Sequence, residues 1–105
     1  MKDDWEELHQ QVEPIINILD KYAIIGWSKK LVEINNRISK RWKEGPSLFL
    51  ETIGGMGSLT DLTIYPENND KINKIDVDRV NQTLSKKIGR AYLLAKQIEK
   101  RISLQ

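Results

Sequence analysis

Apolar residues recur along this chain at steps of three and four, the spacing that lines one face of a helix. Trp5, Leu8, Val12, Ile15, Ile16, Leu19 and Tyr22 form the first such stripe. Asp3, Asp4, Glu6 and Glu7 lie at its start, where carboxylates favour the positive end of a helix. Pro14 lies inside the pattern and cannot donate to the Gln10 carbonyl, so the spacing predicts a kink or a split into two shorter helices. Trp27, Leu31, Ile34, Ile38 and Trp42 form a second stripe, begun by Gly26 or Ser28 and ended by Gly45-Pro46. Its outer face is Lys29, Lys30, Glu33, Asn36, Arg37, Lys40 and Lys43.

Pro46 at a first helical position, followed by the apolar run to Ile53, predicts a short third helix stopped by Gly54-Gly55. A glycine turn, a short irregular or extended piece over 59–66 and a polar loop over 67–71 come next. The clearest signal is the last one. Val77, Val80, Leu84, Ile88, Ala91, Ala95, Ile98 and Ile102 predict a helix about 40 Å long, with Asp76 as its N-cap. The expected fold is mainly α, a single helical domain over 1–105. It is an irregular bundle of about four helices with a long C-terminal helix and a glycine-rich loop after the short third one.

Composition narrows the function classes. With 39% hydrophobic and 30% charged residues the chain has the make-up of a folding domain. Cysteine is absent, which removes disulfides, thiolate metal sites and cysteine nucleophiles. The acidic start, with no basic region or apolar run behind it, predicts no signal peptide and a cytoplasmic location. No apolar run is long enough for a membrane span. The net charge of +2 is laid out in blocks. Residues 1–20 and 51–82 are acidic, while 21–50 and 83–105 are basic.

The candidate motifs are weak as chemistry. Gly54, Gly55, Met56, Gly57 and Ser58 follow a helix and lack the lysine of a phosphate-binding loop. They predict a helix cap and turn with positive φ angles, or a loop whose bare amides contact a partner or an anion. Ser58-Leu59-Thr60-Asp61 has the form of a capping box, with Asp61 reaching back to the Ser58 amide. His9, the single histidine, pairs with Glu13 on one helical face and supplies too few ligands for a metal. The oxygen-rich run 68–78 lacks the glycine and final glutamate of an EF-hand. Asn81-Gln82-Thr83 matches the glycosylation pattern by chance. Glu33, Glu51, Asp61 and Glu67 offer carboxylates, but nothing pairs two of them or supplies a nucleophile and base. The expectation is a non-enzymatic protein with no cofactor and no metal.

Arg79, Lys86, Arg90 and Arg101 on the last helix, with Lys29, Lys40 and Lys43 on the second, would suit nucleic acid if exposed aromatics accompanied them. Trp5, Trp27, Trp42 and Tyr92 sit on apolar stripes instead and are expected in or near the core.

Trp27 together with Ile53-Gly54-Gly55-Met56-Gly57-Ser58-Leu59-Thr60-Asp61-Leu62 resembles a small bacterial domain-of-unknown-function family with a GGMGS(L/F)xDL signature. The resemblance spans roughly residues 8–100. It implies a short stand-alone protein without established catalytic residues, and some members look like immunity proteins paired with secreted toxins. Thr60 departs from the asparagine-like residue usual there, and the acidic N-terminal extension is this chain's own. The resulting expectation is a module that binds a protein partner, a basic toxin domain, and blocks it. Asp61, Glu67, Asp70, Asp76 and Asp78 would be the contact surface, because carboxylates complement a basic cleft and speed encounter. The alternative is a nucleic-acid-binding or regulatory protein using the basic faces of helices two and four.

Overall fold

A computed structural model describes residues 3–54, 57–66 and 71–104. Helix α1 (Asp4–Lys21), α2 (Ile25–Ser39), α3 (Glu44–Glu51) and α4 (Val77–Ser103) make the fold, with 3-10 turns at Leu59–Asp61 and Lys74–Asp76. The bundle closes as a ring: α1 packs on α2 and α4, and α3 packs on α2 and α4. Its core holds Leu8, Val12, Ile15, Leu19, Leu31, Ile38, Phe49, Leu59, Ile64, Leu84, Ala91, Ala95 and Ile98.

Asp3 caps α1 by accepting from the Glu6 amide at 2.9 Å. Of the kink or split expected at Pro14, the split does not occur: α1 runs unbroken past it. Pro14 removes one amide from the ladder, but Leu8 and Val12 before it and Ile15, Ile16 and Leu19 after it are buried on one stripe. That shared burial outweighs a single missing hydrogen bond.

Helices α1 and α2 end in the same way. Ala23 has φ 61° and Arg41 φ 59°. After α1 the Ile24 amide donates to the Leu19 carbonyl at 2.8 Å and Ala23 to Asp20 at 3.1 Å. After α2, Trp42 donates to Arg37 at 3.1 Å and Arg41 to Ile38 at 3.0 Å. Both are Schellman motifs with a non-glycine residue in the left-handed position. Two expectations are corrected as a result. The chain leaves the α1 cap directly into α2 at Ile25, so neither Gly26 nor Ser28 starts it. Ser28 is buried, and its hydroxyl donates to the Asp20 carboxylate. At the other end α2 stops at Ser39, so Trp42 falls outside the stripe and is 46% exposed. Lys40 and Arg37 lie over its ring, 4.9 and 6.0 Å from the centroid.

Helix α3 takes in Pro46 as expected but begins earlier, at Glu44, so Gly45 belongs to it rather than to the end of α2. A Cβ on Gly45 would come within 3.0 Å of the Ile38 backbone nitrogen, so glycine permits the close approach of α2 and α3. Pro46 is in the first turn, where its missing amide costs nothing. Asp76 stands at the N-cap position of α4 as expected, but its side chain does not cap. The 3-10 turn leads into α4 without a break, leaving Asp76 already helical at φ −94°, ψ −8° with no amide on its side chain. Its carboxylate takes Arg79 at 3.1 Å instead.

The charge blocks have a structural use. Asp3 pairs with Arg41 after α2, and Asp4 pairs with Arg101 near the end of α4. The acidic start of α1 thus meets the basic ends of two helices running the other way. The Arg41 guanidinium and the Glu6 amide hold the Asp3 carboxyl below its usual 3.8.

Ile98 is 2% exposed in the core, and Ile98→Ala should lower stability by about 2–5 kcal/mol in denaturant unfolding. Asp3→Asn keeps the cap and removes the charge. Because the folded pKa is depressed, the ion-pair contribution is full above the unfolded value and is lost as pH falls through the folded one. The variant should melt below wild type at about pH 6, and the gap should close as pH falls through the depressed folded pKa and be smaller in high salt.

Candidate partner-binding groove

The segment 57–66 lies as a strap against α4, and its hydrogen bonds account for its course. The Leu59 amide returns to the Thr52 carbonyl at 2.7 Å, and buried Leu59 anchors the turn. Gly54 and Gly57 have φ 86° and 78°, the positive angles expected of the glycine loop. Gly55 and Met56 lie outside the described residues. The Thr60 hydroxyl oxygen accepts from the Gly54 amide at 3.1 Å and meets the Ser58 hydroxyl at 2.9 Å. The Asp61 carboxylate accepts from the Gly57 amide at 3.0 Å, one residue before the Ser58 amide expected of the capping box. Ile64 is buried, and the Asn81 side chain clamps it. Asn81 accepts from the Ile64 amide at 2.8 Å and donates to the carbonyls of Ile64 at 3.0 Å and Val77 at 2.8 Å.

Between the strap and α4 a half-open groove of about 440 Å³ remains. Ile53, Leu59 and Leu62 form one wall, and Leu84, Ile88 and Tyr92 the other. Ser85 and Gly89 lie on the outer side of α4, both exposed, and a Cβ on Gly89 would meet nothing within 4 Å. Leu93, one turn beyond Gly89, is 63% exposed. Sequence reasoning missed this groove because it assigned residues to stripes and not to the gap between a helix and a strap. The only signal was Gly89, a helix-interior glycine that no packing partner requires.

A second cavity of about 410 Å³ lies between α1 and α2, lined by His9, Glu13, Asn17, Asn35 and Asn36 among others. His9 and Glu13 pair at 3.2 Å as expected. Buried Asn35 donates to the His9 carbonyl at 3.2 Å.

The five carboxylates expected to face a partner do not act as one set. Asp61 serves the Gly57 amide and Asp76 serves Arg79. Asp78 is exposed in the first turn of α4. Glu67 and Asp70 lie outside the described residues. Trp5 and Trp27 are half-buried against the core as expected, whereas Tyr92 is half-buried in the groove wall and Trp42 is exposed. Among the described residues no three of His, Asp and Glu form a cluster able to hold a metal ion, and no helix is long and apolar enough to cross a membrane. No family model, curated protein or solved structure matches the chain.

Two glycines give opposite expectations. Gly54→Ala forces a side chain into a positive-φ position and should destabilise by about 1 kcal/mol or more. Gly89→Ala relieves a flexible residue inside a helix with open space above it and should stabilise by about 0.5–1 kcal/mol. Thermal melts of both variants test the assignment.

Proposed function

We propose that this chain is a protein-binding module, best read as an immunity protein that neutralises a cognate bacterial toxin by direct binding in the cytoplasm. The observation that supports this reading is the apolar groove along α4. Its two walls are apolar, Ile53, Leu59 and Leu62 against Leu84, Ile88 and Tyr92, and it opens to solvent beside Ser85 and Gly89. The resemblance carried by Trp27 and the glycine signature points the same way. Inhibition by occlusion asks only for a rigid complementary surface. Because Asp61 and Asp76 have partners within the chain, the groove is a stronger contact surface than the acidic set.

The corner between α2 and α3 favours a second reading, nucleic-acid binding. Trp42 is exposed there among Arg37, Lys40, Arg41 and Lys43, which puts an aromatic ring within a basic patch. Arg37 and Arg41 are already paired with carboxylates, which lowers the charge available to phosphates.

Co-expression tests the first reading. The polypeptide encoded beside this chain should arrest growth alone and be tolerated when this chain is present, and the two should co-elute as one complex. A neighbour that is harmless, or toxic regardless of this chain, defeats the reading. Tight binding to single-stranded DNA that falls about 10-fold or more from low to physiological salt, and that is lost in Trp42→Ala, would favour the second.

A further inference from the structure

We infer that the outer face of α4 rests on an anionic bilayer surface, with Leu93 and Leu104 entering the headgroup layer and the cations around them meeting the lipid charges. The contact is separate from the groove and does not depend on the protein-binding reading. Residues 79–101 contain seven lysines and arginines and a single carboxylate, Glu99. Glu99 is half-buried and accepts from the Ser47 hydroxyl at 3.3 Å, which turns it toward α3. Arg79 and Arg101 are held by Asp76 and Asp4. Among the described residues no carboxylate pairs with Lys86, Arg90 or Lys100.

Helical geometry gathers the unpaired charges on one face. Lys86, Leu93 and Lys100 recur at seven-residue steps, just under two turns, and so form one row along the helix. Arg90, Gln97 and the C-cap residue Leu104 form a second row beside it at the same step. All six are exposed, Leu93 at 63% and Leu104 at 78%, and neither row holds a carboxylate. From Lys86 to Lys100 the face runs about 21 Å. Both rows turn away from the groove, whose α4 wall is Leu84, Ile88 and Tyr92.

The mixture of cations and leucines selects the occupant. Nucleic acid would give the cations phosphates but leave both leucines without a partner, and neither row offers an aromatic ring for a base to stack on. At a bilayer surface apolar side chains enter the headgroup layer while the long stems of lysine and arginine reach back to the lipid charges. Each cation brought near an anionic leaflet raises affinity about fivefold, so three unpaired ones supply roughly a hundredfold before the leucines contribute. Surface contact needs no spanning helix, and α4 keeps its apolar stripe in the core while making it.

The test sediments the full chain with vesicles of phosphatidylcholine alone, or of phosphatidylcholine and phosphatidylserine in equal parts. Partitioning onto the mixed vesicles should be roughly tenfold or more tighter than onto phosphatidylcholine, and high salt should release the chain. Lys86→Glu and Arg90→Glu should each weaken it by about fivefold or more and Leu93→Ser by about threefold. Their melting midpoints should match wild type, because all three positions are exposed. Lys29→Glu on α2, which changes the net charge equally, should leave partitioning nearly unchanged. Since the chain has no cysteine, Leu93→Cys and Lys29→Cys each accept a single environment-sensitive fluorophore. The first should brighten and shift to the blue on mixed vesicles, and the second should not. Equal partitioning onto both vesicle types overturns the inference, as does the absence of sedimentation at about 1 mM lipid. So does a silent label at position 93, or a charge reversal at position 29 that costs as much as those at 86 and 90. If duplex DNA at equal phosphate concentration strips the chain from the mixed vesicles, the face belongs to nucleic acid and the inference falls.

Discussion

The fold depends on covering one apolar stripe that is longer than anything packed against it. Helix α4 has 27 residues and buries Val77, Val80, Leu84, Ile88, Ala91, Leu94, Ala95 and Ile98 along its length. Helix α1 has 18 residues and α3 only 8. The two meet α4 from different sides, and α2 bridges them to close the ring. On the flank beside α3, the chain must finish the cover with the strap, which is irregular apart from one 3-10 turn, through Leu59 and Ile64. A strap anchored at a few points cannot seal a helix face as another helix does. The groove is the gap that results.

Most of the helices were legible because their signal is periodic burial, and the stripes of α1 and α4 are buried almost as spaced. Their ends were less legible. A glycine marks a left-handed cap in a sequence, but Ala23 and Arg41 take that conformation with nothing in their identity to announce it. The cost of a side chain at positive φ is small beside the carbonyls satisfied by the Schellman bonds and the packing of the next helix. Ending α2 at Ser39 moves Trp42 off the stripe and turns its ring to Lys40 and Arg37. The motif usually sets an apolar contact between these two cap positions, and here an indole and a guanidinium take that place. Gly45, the residue that looked like the cap, is needed where α3 crosses Ile38.

The site was less legible still, for a related reason. Carboxylates are conspicuous in a sequence, but the acids that stood out include two already committed within the chain, Asp61 to a loop amide and Asp76 to Arg79. Asn81 attracted notice only through a chance modification pattern, although its amide is what holds Ile64 to α4. A polar residue beside an apolar stripe is ambiguous until the backbone it bonds has been placed. The positive φ angles at Gly54 and Gly57 were foreseeable because glycine is the residue that adopts them freely.

The Asn81 clamp also bears on how such a protein diverges. The ring of four helices holds together through contacts in which the strap has little share, whereas the strap joins α4 chiefly through buried Leu59 and Ile64 and this one amide. Substitutions at Leu62 would reshape one wall of the groove without disturbing the helix crossings. Substitutions at Ser85 or Gly89 would change the other side from an exposed surface. Selection could therefore explore new binding preferences at positions that carry little of the stability, much as variable loops do on a conserved framework.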